Sequence, residues 1–338
     1  MRKRVAIQCL AICLALAATS PAPLGVQAPP AIGIQGDRFT RDGTPAFLVF
    51  VSYFDALRAS DRVGDLAYFS GNVDGVRIFP TWWSYSCSGD ESRNTHAEDT
   101  IFDASGNIRE AFWPRFESFL DAAGRAGLIV DVSFSRDTVA KDMTPANFAR
   151  GIRAVADRLK NTRRHVYFDV QNEWDDGLLS EQGVREATAA VKAVDAGRLV
   201  TASGARRSSV FLGPPQDFFA VHDRDTGWED DATVNRLMNG GPGARGWRSY
   251  HVPVHLQEPA PFNELCPALT DPPGIIPWID AVKSAKKTGA AAWTFHTRTG
   301  FALSGTSFVA RLTRSEKEII AALRPSAAIV AWGADPRR

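Results

Sequence analysis

The 338-residue sequence lacks several features that would point to common classes of partner. Its formal net charge is only +1, so no basic face for nucleic acid is indicated. No apolar run after the N-terminal segment is long enough to span a bilayer. No glycine-rich phosphate fingerprint follows the first predicted strand, and no carboxylates converge from adjacent strand ends. Neither an organic cofactor nor a metal is therefore expected.

The N-terminus has the pattern of an export signal. Arg2, Lys3 and Arg4 are basic, residues 5–18 form an apolar run too short to span a bilayer comfortably, and small residues follow. Residues 1–28 are therefore predicted to be a signal peptide, cleaved somewhere between residues 17 and 28. A retained membrane anchor is the alternative. Cleavage would leave an exported protein, periplasmic or extracellular, with no stable membrane association and a formal charge reduced from +1 to −2 by the loss of Arg2, Lys3 and Arg4.

Cysteine is scarce in the predicted mature chain. Of the four cysteines, Cys9 and Cys13 lie in the signal, which leaves Cys87 and Cys266. An oxidising compartment makes these two a possible disulfide. Two separate buried thiols are the alternative, because the sequence gives no distance between them.

Short apolar segments alternate with amphipathic stretches along the rest of the chain. Strands that are apolar on both faces are typical of parallel sheets covered by helices on both sides. The segments that read as strands are residues 46–52, 75–79, 128–134, 166–170, 199–203, 218–222, 252–256 and 290–295. Eight strands with intervening helices predict the α/β class and a single (β/α)8 TIM barrel over residues 31–338. A doubly wound open sheet is the alternative.

Local signals place some of the helix ends. Thr144 followed by Pro145 is a capping residue before a proline in the first turn, and Ser180 caps the next helix. Pro325 is predicted to end the last helix. Residues 204–217 contain Gly213-Pro214-Pro215 and are predicted to hold no full helix.

Polar side chains close several of the predicted strands. The active site of such a barrel lies at the C-terminal ends of its strands. Glu173 ends strand four and Glu258 ends strand seven. Cleavage of a glycosidic bond needs two carboxyl groups, one to protonate the leaving oxygen and one to attack or to activate water. Glu173 and Glu258 are therefore the candidate catalytic pair, and two solvated glutamates at strand ends are the alternative.

Other residues near these ends are candidates for substrate binding or for support of the carboxylates. Arg77 inside the barrel would keep Glu258 ionised, whereas on the outside it would form a surface salt bridge. His222 would bind a hydroxyl or orient a carboxylate, or it is a core histidine. Trp293 would offer a flat platform to a sugar, with core packing as the alternative. Trp174 directly follows the first glutamate and is a further candidate for substrate binding.

Strict strand alternation would put Asn172 and Glu173 on opposite faces. If both side chains act in one site, the pleat must break there, and a bulge is the expected device.

The order and spacing of these segments resemble clan A of the glycoside hydrolases. This clan comprises the (β/α)8 retaining enzymes and includes the family 5 cellulases and mannanases. The resemblance covers nearly the whole mature chain and runs through residues 39–45, 76–82, 168–173, 252–259 and 292–297.

The resemblance implies a role for each matching residue. Glu173 would be the acid/base, Asn172 the partner of the substrate 2-hydroxyl, and Glu258 the nucleophile. Arg77 would support the nucleophile, and Trp293 would form the floor of the cleavage subsite. The expected protein is a retaining hydrolase of β-linked glycans with a carbohydrate substrate. A non-catalytic glycan-binding protein on the same scaffold and a transglycosylase with the same intermediate are the alternatives.

The sequence differs from the family 5 pattern in two places. The third strand reads Asp131-Val132-Ser133-Phe134-Ser135 and lacks the histidine usual near its end. The sixth ends His222-Asp223-Arg224, where the family has histidine, any residue and tyrosine. Arg224 is a candidate to replace part of the contact that this tyrosine makes with the nucleophile.

Overall fold

A computed structural model describes most of the chain after the predicted signal peptide. The described residues are 28–81, 100–135, 143–206, 208–223, 231–241, 244–259, 275–301, 303 and 305–333. Most of the signal segment, Cys87, Cys266 and Arg224 lie outside these ranges. The signal peptide, the disulfide and the role of Arg224 therefore stay predictions.

Eight parallel strands form the central sheet, each at a predicted position. They are β1 (Leu48–Ser52), β2 (Gly75–Ile78), β3 (Ile129–Ser133), β4 (Val166–Asp169), β5 (Val200–Thr201), β6 (Phe219–Asp223), β7 (Val254–Pro259) and β8 (Ala292–Phe295). Their order in the sheet is β5-β4-β3-β2-β1-β8-β7-β6. A parallel bridge between Gly204 and Val221 joins the two ends. The predicted (β/α)8 barrel is thus confirmed, and the open-sheet alternative is wrong.

Helices connect the strands and cover the outside of the barrel. They are α1 (Arg62–Asn72), α2 (Trp113–Arg125), α3 (Pro145–Arg158), α4 (Glu181–Val194), α5 (Asp231–Asn239), α6 (Ile276–Lys287), α7 (Phe308–Arg311) and α8 (Arg314–Ala328). Thr144 and Ser180 cap α3 and α4 through their side chains, as predicted. The described part of residues 204–217 holds no helix, also as predicted. Among the described residues, no helix combines the length and apolar character needed to cross a membrane.

The end of α8 differs from the prediction. Pro325 lies inside this helix, which continues to Ala328. Proline lacks an N–H and its ring opposes the preceding turn, so tertiary contacts must hold the last turn. Ala327 is buried, and its carbonyl oxygen accepts a hydrogen bond of 2.8 Å from Lys286 Nζ on α6.

The lower part of the barrel interior is apolar. A short antiparallel sheet before the barrel, of strands Ile32–Gln35, Arg38–Arg41 and Thr44–Pro45, brings Phe39 beneath it. The Phe39 ring meets that of Phe218 edge-on, with the ring centres 5.0 Å apart. Leu48, Phe50 and Ile129 also belong to this layer. It closes the end of the barrel opposite to the predicted site.

Candidate active site

Arg77 on β2 is the centre of a polar network inside the upper barrel. Its neighbours Val76 and Ile78 belong to the apolar cluster between the strands and the surrounding helices. The alternation of the strand therefore directs Arg77 inward. Its side chain is fully buried, which excludes the predicted alternative of an outer salt bridge. The guanidinium donates to Glu258 Oε1 and, at 2.5 Å, to Asn172 Oδ1.

Several acidic and aromatic groups surround this guanidinium. Asp131 and Asp169 each have a carboxylate oxygen 3.6 Å from one of its nitrogens. The rings of Phe54 and Phe79 stack on one another and lie 5.2 and 5.0 Å from its central carbon. Burial acts to lower the pKa of Arg77, but the charges of Glu258, Asp131 and Asp169 outweigh it and raise that pKa. Arg77 therefore stays charged and compensates buried carboxylates.

The chain leaves strand geometry between β4 and Glu173. β4 ends at Asp169, and the Asn172 amide donates to the carbonyl of Phe134 at 2.8 Å. Glu173 adopts a left-handed conformation, with φ 53° and ψ 58°, and its amide donates to Ser203 Oγ at 3.1 Å. The pleat does break here, through this turn and not through a bulge in β4. A left-handed non-glycine residue costs on the order of 1–3 kcal/mol and is typical of functional sites.

A bulge does occur on the opposite strand, β7. Its register against β6 shifts between Leu256 and Glu258. Gln257 and Glu258 consequently both turn into the barrel, where Gln257 contacts His222 and Glu258 contacts Arg77.

The two candidate carboxylates meet at His222 on β6. Its Nδ1 lies 3.2 Å from Glu173 Oε1 and 3.4 Å from Glu258 Oε2. One oxygen of each glutamate and one nitrogen of His222 all lie within 4.8 Å of one another. Both glutamates are buried, with exposures of 7% and 9%. Glu173, His222 and Glu258 are residue types that can bind a metal ion. The guanidinium of Arg77, however, already supplies the positive charge that compensates Glu258.

The surrounding charges lower the pKa of Glu258 and raise the pKa of His222. Burial alone would raise the pKa of Glu258, but His222, His296 and Arg77 outweigh it and hold that pKa well below the usual range. Burial acts to lower the pKa of His222, whereas Glu258 and Glu173 raise it on balance. Glu258 is therefore an ionised carboxylate beside three basic groups.

His296 is a neighbour of Glu258 that sequence reasoning missed. Its Nε2 lies 3.8 Å from Glu258 Oε2, and its Nδ1 lies 3.0 Å from Ser52 Oγ. Once the phase of β8 is known, strand alternation is the signal that could have found it, because residue 296 follows β8 at the same spacing as the inward residues 292 and 294.

Trp293 is not in the site, and its predicted role as a sugar platform is wrong. The side chain is fully buried and packs edge-on against Trp278 of α6, with ring centres 6.2 Å apart. The strand pairing explains this, since β8 turns Thr294 inward to His255 and therefore turns Trp293 toward the helices.

Trp174 begins a short 3-10 turn, Trp174–Asp176, beside Glu173. It is half-buried and packs against the apolar core. Asp175 fixes the turn by accepting from the amide of Ala205 at 2.7 Å and from Ser209 Oγ at 2.6 Å.

Comparisons of sequence and of structure give different results. No protein-family model and no curated protein matches the chain. A putative glycoside hydrolase from Bacteroides vulgatus superposes with a TM-score of 0.66 at 16% identity, over 90% of this chain and 62% of that one. A glycoside hydrolase family 5 enzyme from Prevotella bryantii gives 0.57 at 17%, over 83% and 96%. The catalytic domain of endoglucanase Cel5A from Thermobifida fusca gives 0.54 at 14%, over 87% and 97%. The predicted likeness to family 5 enzymes is thus confirmed for the fold.

Proposed function

We propose that this protein is a retaining glycoside hydrolase acting on β-linked glycans. The observation that carries the proposal is the pair of buried glutamates, Glu173 after β4 and Glu258 on β7, with oxygens within 4.8 Å of each other. Retaining enzymes hold their carboxyl groups about 5–5.5 Å apart, whereas inverting enzymes separate them by about 6.5–9.5 Å to admit water. The shared fold with glycoside hydrolases, one of them an endoglucanase, supports the same chemistry.

The first step would be attack by the ionised Glu258 on the anomeric carbon. A bond forms between a Glu258 oxygen and that carbon while the glycosidic C–O bond breaks. The leaving oxygen takes its proton from Glu173. His222, His296 and Arg77 favour this division of labour because their charges stabilise Glu258 as a carboxylate.

The second step would release the sugar. Glu173, now a carboxylate, removes a proton from water, and the water oxygen attacks the anomeric carbon of the glycosyl ester. The ester C–O bond breaks, which returns Glu258 as a carboxylate and leaves Glu173 protonated. The position of His222 between the two side chains fits this alternation of charge.

Asn172 is the proposed contact for a substrate hydroxyl. Arg77 donates to its Oδ1, which fixes the amide and leaves its NH2 group to donate. The sugar 2-hydroxyl lies next to the anomeric carbon, so an amide beside Glu173 suits it.

We also infer that the protein is exported, as its N-terminal pattern indicates. Export would bring the enzyme to carbohydrate outside the cytoplasm.

Hydrolysis assays on Glu258→Ala test the proposed function. Purified protein is assayed on a panel of β-glucans, β-mannans and aryl β-glycosides, with Glu186→Ala on the surface of α4 as the matched control. We expect hydrolysis by the wild type and the control and none by Glu258→Ala. Wild-type rates in Glu258→Ala would defeat the proposal. Product analysis with added sugar acceptors separates hydrolysis from glycosyl transfer.

A further inference from the structure

A second chain of polar contacts lies behind His222, on the side away from the two glutamates. Gln257 Oε1 lies 3.0 Å from His222 Nε2. The Gln257 amide nitrogen donates to Asp131 Oδ2 at 2.6 Å. Gln257, His222 and Asp131 are all fully buried, and the proposed reaction gives Gln257 and Asp131 no task.

Asp131 determines the direction of this chain. Burial raises the pKa of Asp131 to about 6, so above that pH Asp131 is a carboxylate that only accepts hydrogen bonds. The NH2 group of Gln257 must then face Asp131, and its oxygen must face His222. Asp131 is itself held by Ser133 Oγ, which donates to its Oδ1 at 2.9 Å, and by Arg77 at 3.6 Å. Gln257 therefore has no equivalent flipped orientation.

The orientation of Gln257 in turn sets the hydrogen on His222. An amide oxygen accepts, so Nε2 must carry a hydrogen in both the neutral and the cationic imidazole. Nδ1, which faces Glu173 and Glu258, is then the nitrogen at which a proton can arrive or leave.

The choice of tautomer affects Glu173 directly. With hydrogen on Nε2, neutral His222 presents a lone pair at Nδ1 and accepts a hydrogen bond from a protonated Glu173, and cationic His222 holds at Nδ1 a proton that it can pass to an ionised Glu173. The other tautomer would present an N–H and would stabilise the ionised carboxylate instead. A general acid must start protonated, so only the first arrangement supports proton donation.

We propose that Gln257 and Asp131 are positioning residues that confine proton exchange on His222 to Nδ1 and so keep Glu173 supplied with its proton. The kinetic consequence rests on the proposed function, whereas the tautomer follows from the contacts alone. The charged and titratable groups around His222 are Glu173 after β4, Glu258 and His255 on β7, Arg77 on β2, Asp131 on β3 and His296 after β8.

Nitrogen-15 NMR of selectively labelled histidine tests the tautomer. The chain has six histidines, and His222→Asn identifies the signals of His222. In the wild type we expect Nε2 to stay protonated at every pH above about 6, where Asp131 is ionised, with titration at Nδ1 alone. Gln257→Met removes the acceptor at similar volume, so both nitrogens should then show mixed tautomers. Gln216→Met, at another buried amide, is the control and should leave the His222 signals unchanged.

Leaving-group dependence tests the effect on Glu173. Glycosides with poor leaving groups need the acid, whereas dinitrophenyl glycosides do not. We expect Gln257→Met to lower kcat about 10-fold or more on the former and little on the latter. Gln257→Glu keeps an acceptor oxygen beside His222 and should recover much of the loss, which a merely structural role would not predict.

A wild-type Nε2 without hydrogen would overturn the proposal, and so would unchanged His222 signals in Gln257→Met. If that variant does not fold, Asp131→Asn replaces it. This change lets Gln257 rotate, so Nε2 should lose part of its hydrogen, and a fully protonated Nε2 would contradict the proposal. A wild type with the expected NMR result but no glycosidase activity would refute the proposed function and leave the tautomer assignment standing.

Discussion

The lower and upper halves of the barrel interior are built by the same strands and have opposite chemistry. Below lie Leu48, Phe50 and Ile129, packed around Phe39. Above lie Arg77, Asp131, Asp169, His222 and Glu258, joined by hydrogen bonds and ion pairs. Inward positions alternate along every strand, so one strand can supply an apolar residue to the lower layer and a polar residue to the upper. The chemistry is thereby confined to the upper half, whereas both halves contribute to stability.

The two halves also differ in how a substitution acts. An apolar layer loses packing when a side chain is shortened, and its neighbours partly relax. Removal of one charged group from a buried ionic network leaves the remaining charges without a partner of opposite sign at low dielectric. The comparison predicts different signatures for changes of similar size in the two halves.

Glu173→Gln should give the largest effect on activity and a small effect on stability. The amide keeps the shape of the carboxyl but cannot supply a proton, so kcat should fall by about 10²–10⁴ on substrates with poor leaving groups. Steady-state kinetics and thermal unfolding together check this. The surface variant Glu186→Gln is the control, and an unchanged kcat in Glu173→Gln would remove this residue from the reaction.

Arg77→Met should damage stability and activity together. The guanidinium contacts Glu258 and Asn172 and lies 3.6 Å from both Asp131 and Asp169, so its loss leaves buried carboxylates uncompensated. We expect a loss of about 3–5 kcal/mol in unfolding free energy. Urea unfolding measures the effect, and a loss below 1 kcal/mol would show that the network contributes little.

Phe50→Ala provides the contrast in the lower layer. Phe50 is fully buried against Tyr167 and His255. Its removal should cost about 3–5 kcal/mol through lost contacts and a cavity. The folded fraction should keep nearly wild-type kcat, measured well below the unfolding midpoint. A large fall in kcat per folded molecule would contradict the assignment of catalysis to the upper half alone.

The pH dependence of the unfolding free energy should reflect the titratable groups of the upper half. The pKa of His222 is raised in the folded state, so its contribution is fully present below its unfolded value near 6.5 and is lost as pH rises through the folded value. The pKa of Glu258 is lowered, so its contribution is present above about 4.3 and is lost in acid. His222→Gln should therefore flatten the alkaline decline in unfolding free energy, and an unaltered slope would contradict this.

The sequence predicted the barrel because its strands are short apolar runs and its helices carry local caps such as Thr144 and Ser180. It could not predict features that depend on contacts distant along the chain. The packing of Ala327 overrides Pro325 as a helix end, and the phase of β8 decides that Trp293 faces outward and His296 inward. The left-handed turn at Glu173 and the bulge at Gln257 do not follow from residue type, yet both carboxylates depend on them.

Trapping with a 2-deoxy-2-fluoro β-glycoside tests the central claim most directly. The fluorine slows both steps, and an activated leaving group lets the glycosyl-enzyme accumulate for peptide mass spectrometry. We expect one sugar per protein, attached to the peptide that contains Glu258, and a faster loss of label when a sugar acceptor is added. Label on Glu173, or hydrolysis of natural glycans with no adduct on either glutamate, would contradict a retaining mechanism with Glu258 as nucleophile.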